Sequence, residues 1–375
     1  MRILLTGGGT CGHITPSIAV AKKIKSTAKE RVDFLFVGSV DKNAQALLET
    51  ENIKVKNIAC GKFRRSLSLR NFTDIFKLAF GMIQAMWIVY WFMPDVVFSK
   101  GGFASFPGSF ASWFFMCPII VHESDSVPGL ANLVIGKMAK IVIVAFGKAG
   151  EYFKKEKVIL LGNPIREELL NGSAEECEKK FGLQKDNPLV FITGGSLGAS
   201  FINEAVLRIL SELTKSANII HQCGNIAVKG HKGIDEIKKT ASEILGDDYE
   251  KDGYHPVEFI GEELKDVLAC ADLIITRGGA NSLSEIASIG KPSIIIPIYN
   301  SPGNHQRENA CTFKEAGAGI VIEQPNLTPN LFLMEIRKIL ENPELSKSMG
   351  ENAKKLANPE AAQGIAEVVL EIGRR

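Results

Sequence analysis

The sequence is short of several features that would fix a function at once. Its seven cysteines, at positions 11, 60, 117, 177, 223, 270 and 311, contain no Cys-x-x-Cys pair and are odd in number. That argues against a zinc site and against a disulfide framework, and a reducing cytosol is the simplest setting. Basic residues outnumber acidic ones by only two, so the molecule as a whole is not built to bind nucleic acid. No Gly-Lys-Ser/Thr follows any glycine-rich stretch, which argues against P-loop ATPase chemistry. No apolar run reaches the roughly 20 residues of a membrane span. The run after Met1-Arg2 stops at Gly7, so no secretory leader is visible.

What is present points to an α/β protein. The 375 residues suit two domains better than one. The 35 glycines, in an otherwise ordinary globular composition, fit sharp turns between strands and helices. Short apolar runs at 3–6, 32–38, 96–99, 119–123, 141–146 and 158–162 alternate with helical stretches, as parallel strands covered on both faces do. The pattern restarts at 189–193, 218–223, 257–261, 273–276, 293–298 and 319–322. Thr6-Gly7-Gly8 closes the first strand of one series, and Thr193-Gly194-Gly195 closes the first strand of the other. The expected fold is two Rossmann-like, doubly wound domains facing across a cleft. The first covers 1–163, the second 164–344, and a helical segment over 345–375 packs back toward the first domain. Ligands in such sheets bind beyond the carboxyl ends of the strands, so the glycine-rich loops carry the chemistry.

Four loops stand out. GGGTCGH, 7–13, has the G-x-G-x-x-G spacing of a dinucleotide loop. The second strand, however, ends Val37-Gly38-Ser39 with no acid to hold a ribose, and Asp41 comes too late. His13 at the start of the following helix is disfavoured as imidazolium by the helix dipole, so it is a candidate general base as well as a candidate capping residue. SKGGFASFPG, 99–108, and HESDSVPGLAN, 122–132, read as strand-end loops, with His122-Glu123 the suggestive pair. TGGSLGAS, 193–200, fits a diphosphate cradle with Ser196 as a hydroxyl donor. TRGGANSLSEIASIGKPSIIIPI, 276–298, puts Asn281 and Ser282 on the first turn of a helix and Glu285 a turn later. Backbone N–H groups there suit phosphates, and Glu285 suits a ribose diol. His305, Gln306 and Glu308 follow, and such polar groups suit a sugar. This is a nucleotide-sugar pattern rather than a hydride-transfer one.

One stretch complicates a soluble reading. Residues 78–93, LAFGMIQAMWIVYWFM, hold a single strongly polar residue, Gln84. Between 54 and 77 lie Lys54, Lys56, Lys62, Arg64, Arg65, Arg70 and Lys77, against Asp74 alone. The pair reads either as a buried helix beside a solvated basic face, or as a peripheral contact with an anionic membrane.

The motifs GGGTCGHITPSIAVA, KGGFASFPG, HESDSVPGLAN, GNPIR, GGSLGA, RGGANSLSEI and HQRENA occur in that order over nearly the whole chain. In this the sequence resembles the glycosyltransferase family 28 enzymes of bacterial peptidoglycan synthesis. The resemblance implies a GT-B fold, with acceptor and membrane binding on the first domain and donor binding on the second. It implies inverting transfer of N-acetylglucosamine from UDP-GlcNAc to the C4 hydroxyl of the N-acetylmuramyl sugar of lipid I, giving lipid II. It implies work at the cytoplasmic face of the bacterial membrane, with no cofactor and no metal, in line with the absence of Asp-x-Asp. His13 takes the place of the proposed base, beside Thr10, Cys11 and Gly12. Arg166 and Ser196 match donor-binding positions, and Ile260, placed in the strand 257–261, matches a residue whose backbone reads uracil. Ala280, Asn281, Ser282, Leu283, Ser284 and Glu285 match the phosphate and ribose loop, and Gln306 a contact to the sugar hydroxyls. The apolar run 78–93 with its basic flank falls at the family's membrane patch.

Two positions depart from the family pattern. Ser124-Asp125 replace the usual Gln-Asn, and an ionised Asp125 can accept but not donate at the sugar. Phe103 stands where a tyrosine is common. Competing readings are a transferase with another lipid acceptor such as diacylglycerol, a nicotinamide-dependent oxidoreductase, and a binder of lipid-linked precursors without turnover.

Overall fold

The structure is a computed structural model that describes residues 1–9, 11–61, 69–224 and 233–374, with the backbone alone for 9, 11–13, 69–73, 75 and 302. The chain forms two compact units. One is built from Met1–Arg166 and Pro359–Arg375, the other from Glu167–Asn358.

In the first unit, β1 (Arg2–Gly9), β2 (Asp33–Val40), β3 (Lys54–Asn57), β4 (Val96–Ser99), β5 (Ile119–Glu123), β6 (Ile141–Val144) and β7 (Val158–Leu160) form a sheet in the order β3-β2-β1-β4-β5-β6-β7. All its pairings are parallel. Alternation along each strand separates two cores. Ile3, Leu5, Phe36, Phe98 and Ile120 face one layer, while Leu4, Val37, Val97, Ile119 and Val121 face the other. Because both faces are covered, the strands are apolar throughout, and this makes them legible as unbroken runs. The first layer includes the helix Ala361–Gly373, whose Ile365, Val369 and Leu370 join that core.

The second unit repeats the plan. Strands β8 (Leu189–Thr193), β9 (Asn218–Gln222), β10 (Tyr254–Val257), β11 (Leu273–Thr276), β12 (Ser293–Ile295) and β13 (Ile320–Val321) are ordered β10-β9-β8-β11-β12-β13, again all parallel. In both sheets the order reverses beside the first strand, which puts a switch point at the ends of β1 and β4 and of β8 and β11.

Three expectations need correction. β3, with the sequence Lys-Val-Lys-Asn, lies inside the segment taken only as a basic flank. It is an edge strand with exposed lysines, so it carries no apolar run. The strand expected over 257–261 is instead Tyr254–Val257. Its Pro256 is tolerated because β10 is a sheet edge. Ile260 therefore sits in the loop after the strand. All of the run 78–93 but Met93 belongs to one longer helix, Leu69–Phe92, which is both buried and exposed. Gly81, Ala85 and Val89 form its inner stripe, and Gly81 is required because a Cβ there would lie 1.9 Å from the Ala59 carbonyl oxygen. Phe80, Ile83, Trp87 and Trp91 form its outer stripe, with Trp87 66% exposed.

Candidate active site

In the first unit the β1 loop is pressed against the turn after β4. A Cβ at Gly8 would lie 2.2 Å from that of Ala104, so only glycine lets the two segments meet. The chain then enters the helix Cys11–Thr27, whose first turn contains Cys11, Gly12 and His13 and no acid. Thr10 lies outside the described residues, as do the side chains of Cys11 and His13, and Gly12 is described by its backbone alone.

Beside this loop is a buried polar node built around His122 and Glu123, the pair the sequence singled out, and around Lys100, which it did not. Lys100 is only 2% exposed. Its backbone N–H extends the β1–β4 ladder by donating to the Thr6 carbonyl at 2.9 Å. Its Nζ donates to His122 Nδ1 at 2.8 Å, to Asn163 Oδ1 at 3.3 Å and to Ser124 Oγ. An ammonium has no lone pair, so Nδ1 must accept, and His122 is the tautomer that donates from Nε2 to the Gly162 carbonyl at 3.0 Å. Burial, then the neighbouring Lys100 charge, hold His122 well below its ordinary pKa. Burial brings Lys100 down to about 8, against the pull of Glu123 and Asp125.

The loop after β5 is organised by Glu123. Its carboxylate accepts from the N–H of Asp125 at 2.9 Å, from the N–H of Gly129 at 3.2 Å and from Asn132 Nδ2 at 2.8 Å. Burial and the charge of Asp125 raise its pKa, and the hydrogen bonds from Asp125 and Asn132 oppose that rise. Asp125 itself is half-buried, on the rim of this loop. Arg166, also half-buried, is the last residue of the unit's first segment.

In the second unit, Gln222 at the end of β9 ties two loops together. Its Nε2 donates to Thr193 Oγ1 and to the Gly195 carbonyl, both at 3.2 Å, and its Oε1 accepts from the Ile260 N–H at 3.0 Å. Ile260 thereby keeps its carbonyl, not its N–H, for a ligand. Ser196 is exposed on the turn that Gly198 closes by donating to the Gly195 carbonyl at 2.9 Å. Arg277, at the end of β11, lays its guanidinium against this turn: a Cβ at Gly195 would be 2.7 Å from its Nη2. The helix Ala280–Ile289 starts directly after, with Gly279 at its N-cap, no side-chain cap and no acid in its first turn. The N–H groups of its first turn and the nearby guanidinium suit a diphosphate. Asn281, Ser282, Ser284 and Glu285 are half-buried, while Ala280 and Leu283 are core residues, so these two offer a ligand only backbone. Gly278 packs so close to the next helix, His305–Glu315, that a Cβ would lie 2.1 Å from the Gln306 carbonyl oxygen. Gln306 Oε1 accepts from the Ile298 N–H at 3.2 Å, and that bond does not use the NH2 end.

Lys100, Asn132, Gln222 and Arg277 are thus residues of the candidate site that motif reading did not single out. Arg277 had a signal, a lone cation between a buried strand and Gly-Gly. The other three are recognisable only through their partners in space.

Two Rossmann-like units in one chain, each with a glycine-lined switch point, define the GT-B class of nucleotide-sugar enzymes. The family is narrower. Residues 3–144 match the glycosyltransferase family 28 N-terminal domain and residues 189–365 the family 28 C-terminal domain, and the chain belongs to that family. It is 39% identical, over 90% of its length and 91% of the relative's, to the UDP-N-acetylglucosamine--N-acetylmuramyl-(pentapeptide) pyrophosphoryl-undecaprenol N-acetylglucosamine transferase of Clostridium kluyveri. It is 35% identical over 99% of both chains to a second transferase of that name from Bacillus thuringiensis. The crystal structure of Acinetobacter baumannii MurG superposes with a TM-score of 0.74 at 26% identity, covering 99% of each chain.

Proposed function

We infer that this chain is the hexosyltransferase that moves N-acetylglucosamine from UDP-GlcNAc to the C4 hydroxyl of the N-acetylmuramyl sugar of lipid I, forming lipid II for peptidoglycan. The observation that carries the reading is full-length similarity, at 35–39% identity, to transferases named for that reaction. The geometry supports the same chemistry. In the second unit, an uncapped helix start, the Arg277 guanidinium and Ser196 converge where a diphosphate can sit, and Glu285 follows one turn on for a ribose diol. The Ile260 carbonyl is suited to the N3–H of uracil, and the NH2 of Gln306 to a sugar hydroxyl. Arg166 matches a donor-binding position of the family.

In the first unit His13, beside Thr10, Cys11 and Gly12, takes the proton of the acceptor hydroxyl as that oxygen attacks the anomeric carbon. The bond from this carbon to the β-phosphate oxygen breaks on the opposite face, and UDP leaves with the electron pair. Configuration is inverted. Asp125 accepts a hydrogen bond from a sugar hydroxyl. Among the described residues no helix is long and apolar enough to cross a membrane. The outer stripe of the helix Leu69–Phe92, together with exposed Trp113, Phe114 and Met116, supports peripheral contact with an anionic bilayer on its cytoplasmic face. Of the basic residues, Lys54 and Lys56 are exposed on β3 and Lys77 on the helix. Lys62, Arg64, Arg65 and the side chain of Arg70 lie outside the described residues.

The test is incubation of labelled UDP-GlcNAc with lipid I, with diacylglycerol as a competing acceptor, in the presence and absence of EDTA. Lipid II is the expected product in both conditions. Label on diacylglycerol alone would overturn the acceptor, and no transfer would overturn the reaction. His13→Ala should lower kcat about 10²- to 10⁴-fold with the fold intact. Unchanged turnover would remove His13 from the mechanism.

A further inference from the structure

We propose that Lys100 is a positioning residue for the candidate site of the first unit: its three ammonium protons, given to His122, Ser124 and Asn163, fix one His122 tautomer and seat the loop after β5. For its activity arm the inference rests on the function proposed above.

Donors and acceptors match in number at Lys100. An ammonium has three protons, and Lys100 Nζ has three acceptors at bonding distance, two from the end of β5 and its loop and one from beyond β7. His122 is on β5, Ser124 is on the loop that follows, and Asn163 is just past β7. The node continues on both sides. His122 Nε2 donates to Gly162 at 3.0 Å, and the His122 carbonyl accepts from Asn132 Nδ2 at 3.3 Å. The same Asn132 amide reaches Glu123 at 2.8 Å. Lys100 itself is anchored to β1 through Thr6, and its Cβ lies 3.7 Å from where a Cβ on Gly7 would be. A single buried cation thus links the base of the Gly-rich loop to the loop that carries Asp125.

The fold has no need of a charge here. Lys100 has a lower pKa in the folded chain than in the unfolded one, so the buried ammonium costs stability at neutral pH, and that cost is relieved as pH rises from about 8 toward 10.5. A methionine would fill the same channel without it. The charged groups that face Lys100 are Glu123 and Asp125, and His122 faces it as a neutral ring. Among the described residues, β1 brings Thr6 and Gly7 to Lys100, and the segment past β7 brings Asn163. Loss of the proton removes one of the three donors and leaves the two carboxylates without their counter-charge.

The experiment compares wild type, Lys100→Met and the milder Ser124→Ala in two readouts. Transfer from UDP-GlcNAc to lipid I is measured from pH 6.5 to 9.5. Wild-type kcat/KM should fall above pH 8. Lys100→Met should lie about 10- to 100-fold lower with no such limb, and Ser124→Ala in between. The His122 ring is followed by ¹⁵N NMR. Wild type should show one tautomer, protonated at Nε2 alone, at neutral pH, and Lys100→Met should show a mixture or the other tautomer. Wild-type activity and an unchanged alkaline limb in Lys100→Met, or the same single tautomer in both proteins, would overturn the proposal. A wild-type chain that transferred no sugar would overturn the proposed function instead, and the NMR comparison would then decide the role of Lys100 alone.

Discussion

At the scale of single residues, two buried histidines do different work. His122 is tied to a cation beside the candidate site. His221, on β9 in the second unit, is tied to neutral groups: Nδ1 accepts from Tyr254 Oη at 2.9 Å, and Nε2 donates to Asn203 Oδ1 at 3.1 Å. The Asn203 amide in turn donates to the Cys223 carbonyl at 3.0 Å, so every group in the chain of bonds has a fixed role. Burial lowers the His221 pKa to about 3. A histidine depressed in the folded state stays neutral there while the unfolded chain takes up a proton. Its contribution to stability is therefore complete above pH 6.5 and is lost as pH falls toward 3. In denaturant titrations of the second unit, stability should drop by up to about 1.4 kcal/mol per pH unit across that window from this group. His221→Gln should be less stable at pH 7 and show a slope shallower by about one proton. An unaltered slope would mean that His221 does not titrate in the unfolded reference as argued.

At the scale of elements, the helix Leu69–Phe92 shows why a 3.6-residue repeat can serve two environments. Gly81, Ala85 and Val89, at i, i+4 and i+8, are small or β-branched and turn inward. Phe80, Ile83, Trp87 and Trp91 turn outward, and Trp87 stacks edge-on against Trp91 at a centroid distance of 5.8 Å. The outer stripe is free of the packing that holds the inner one, so its loss should cost binding rather than folding. Phe80→Ser with Trp87→Ser should weaken sedimentation with anionic vesicles at least tenfold while leaving the melting temperature within a few degrees. A mutant that bound vesicles like wild type would move the membrane contact elsewhere.

The same helix marks the limit of what the sequence made legible. Its apolarity was plain, but the division into faces became clear only with the sheet beneath it. Likewise β1, β4, β5, β8 and β11 announced themselves as unbroken apolar runs because helices cover both their faces. β3 did not, because it is an exposed edge rich in lysine. β10 was displaced because His255 and Pro256 interrupt its pattern, while Val257-Glu258-Phe259-Ile260 looks more strand-like than it is. Glycines at strand ends located the loops of the candidate site. Lys100 and Gln222 stayed hidden, since their meaning lies in acceptors tens of residues away along the chain.

At the scale of the whole molecule, the chain leaves the first unit after Arg166, completes the second, and returns at Pro359. The first unit is therefore assembled from both ends of the sequence. The returning helix Ala361–Gly373 packs on the helix Cys11–Thr27 and on the sheet, with Ile365, Val369 and Leu370 in the shared core. Burying such side chains stabilises by ~1.5–3 kcal/mol each, or roughly 5–9 kcal/mol for the three. That is comparable with the whole stability of an ordinary domain, about 5–15 kcal/mol. Deleting 359–375 should therefore unfold the first unit at room temperature and leave the second, whose residues the deletion does not touch. Hydrogen exchange read by mass spectrometry separates the two: β1 to β6 should lose protection while β8 to β12 keep theirs. Val369→Asp, a gentler change, should lower the melting temperature of the first unit alone. Loss of protection in both units together would show that the second unit depends on the first for its stability. Protection retained in both would show that the returning helix is dispensable to the core it covers.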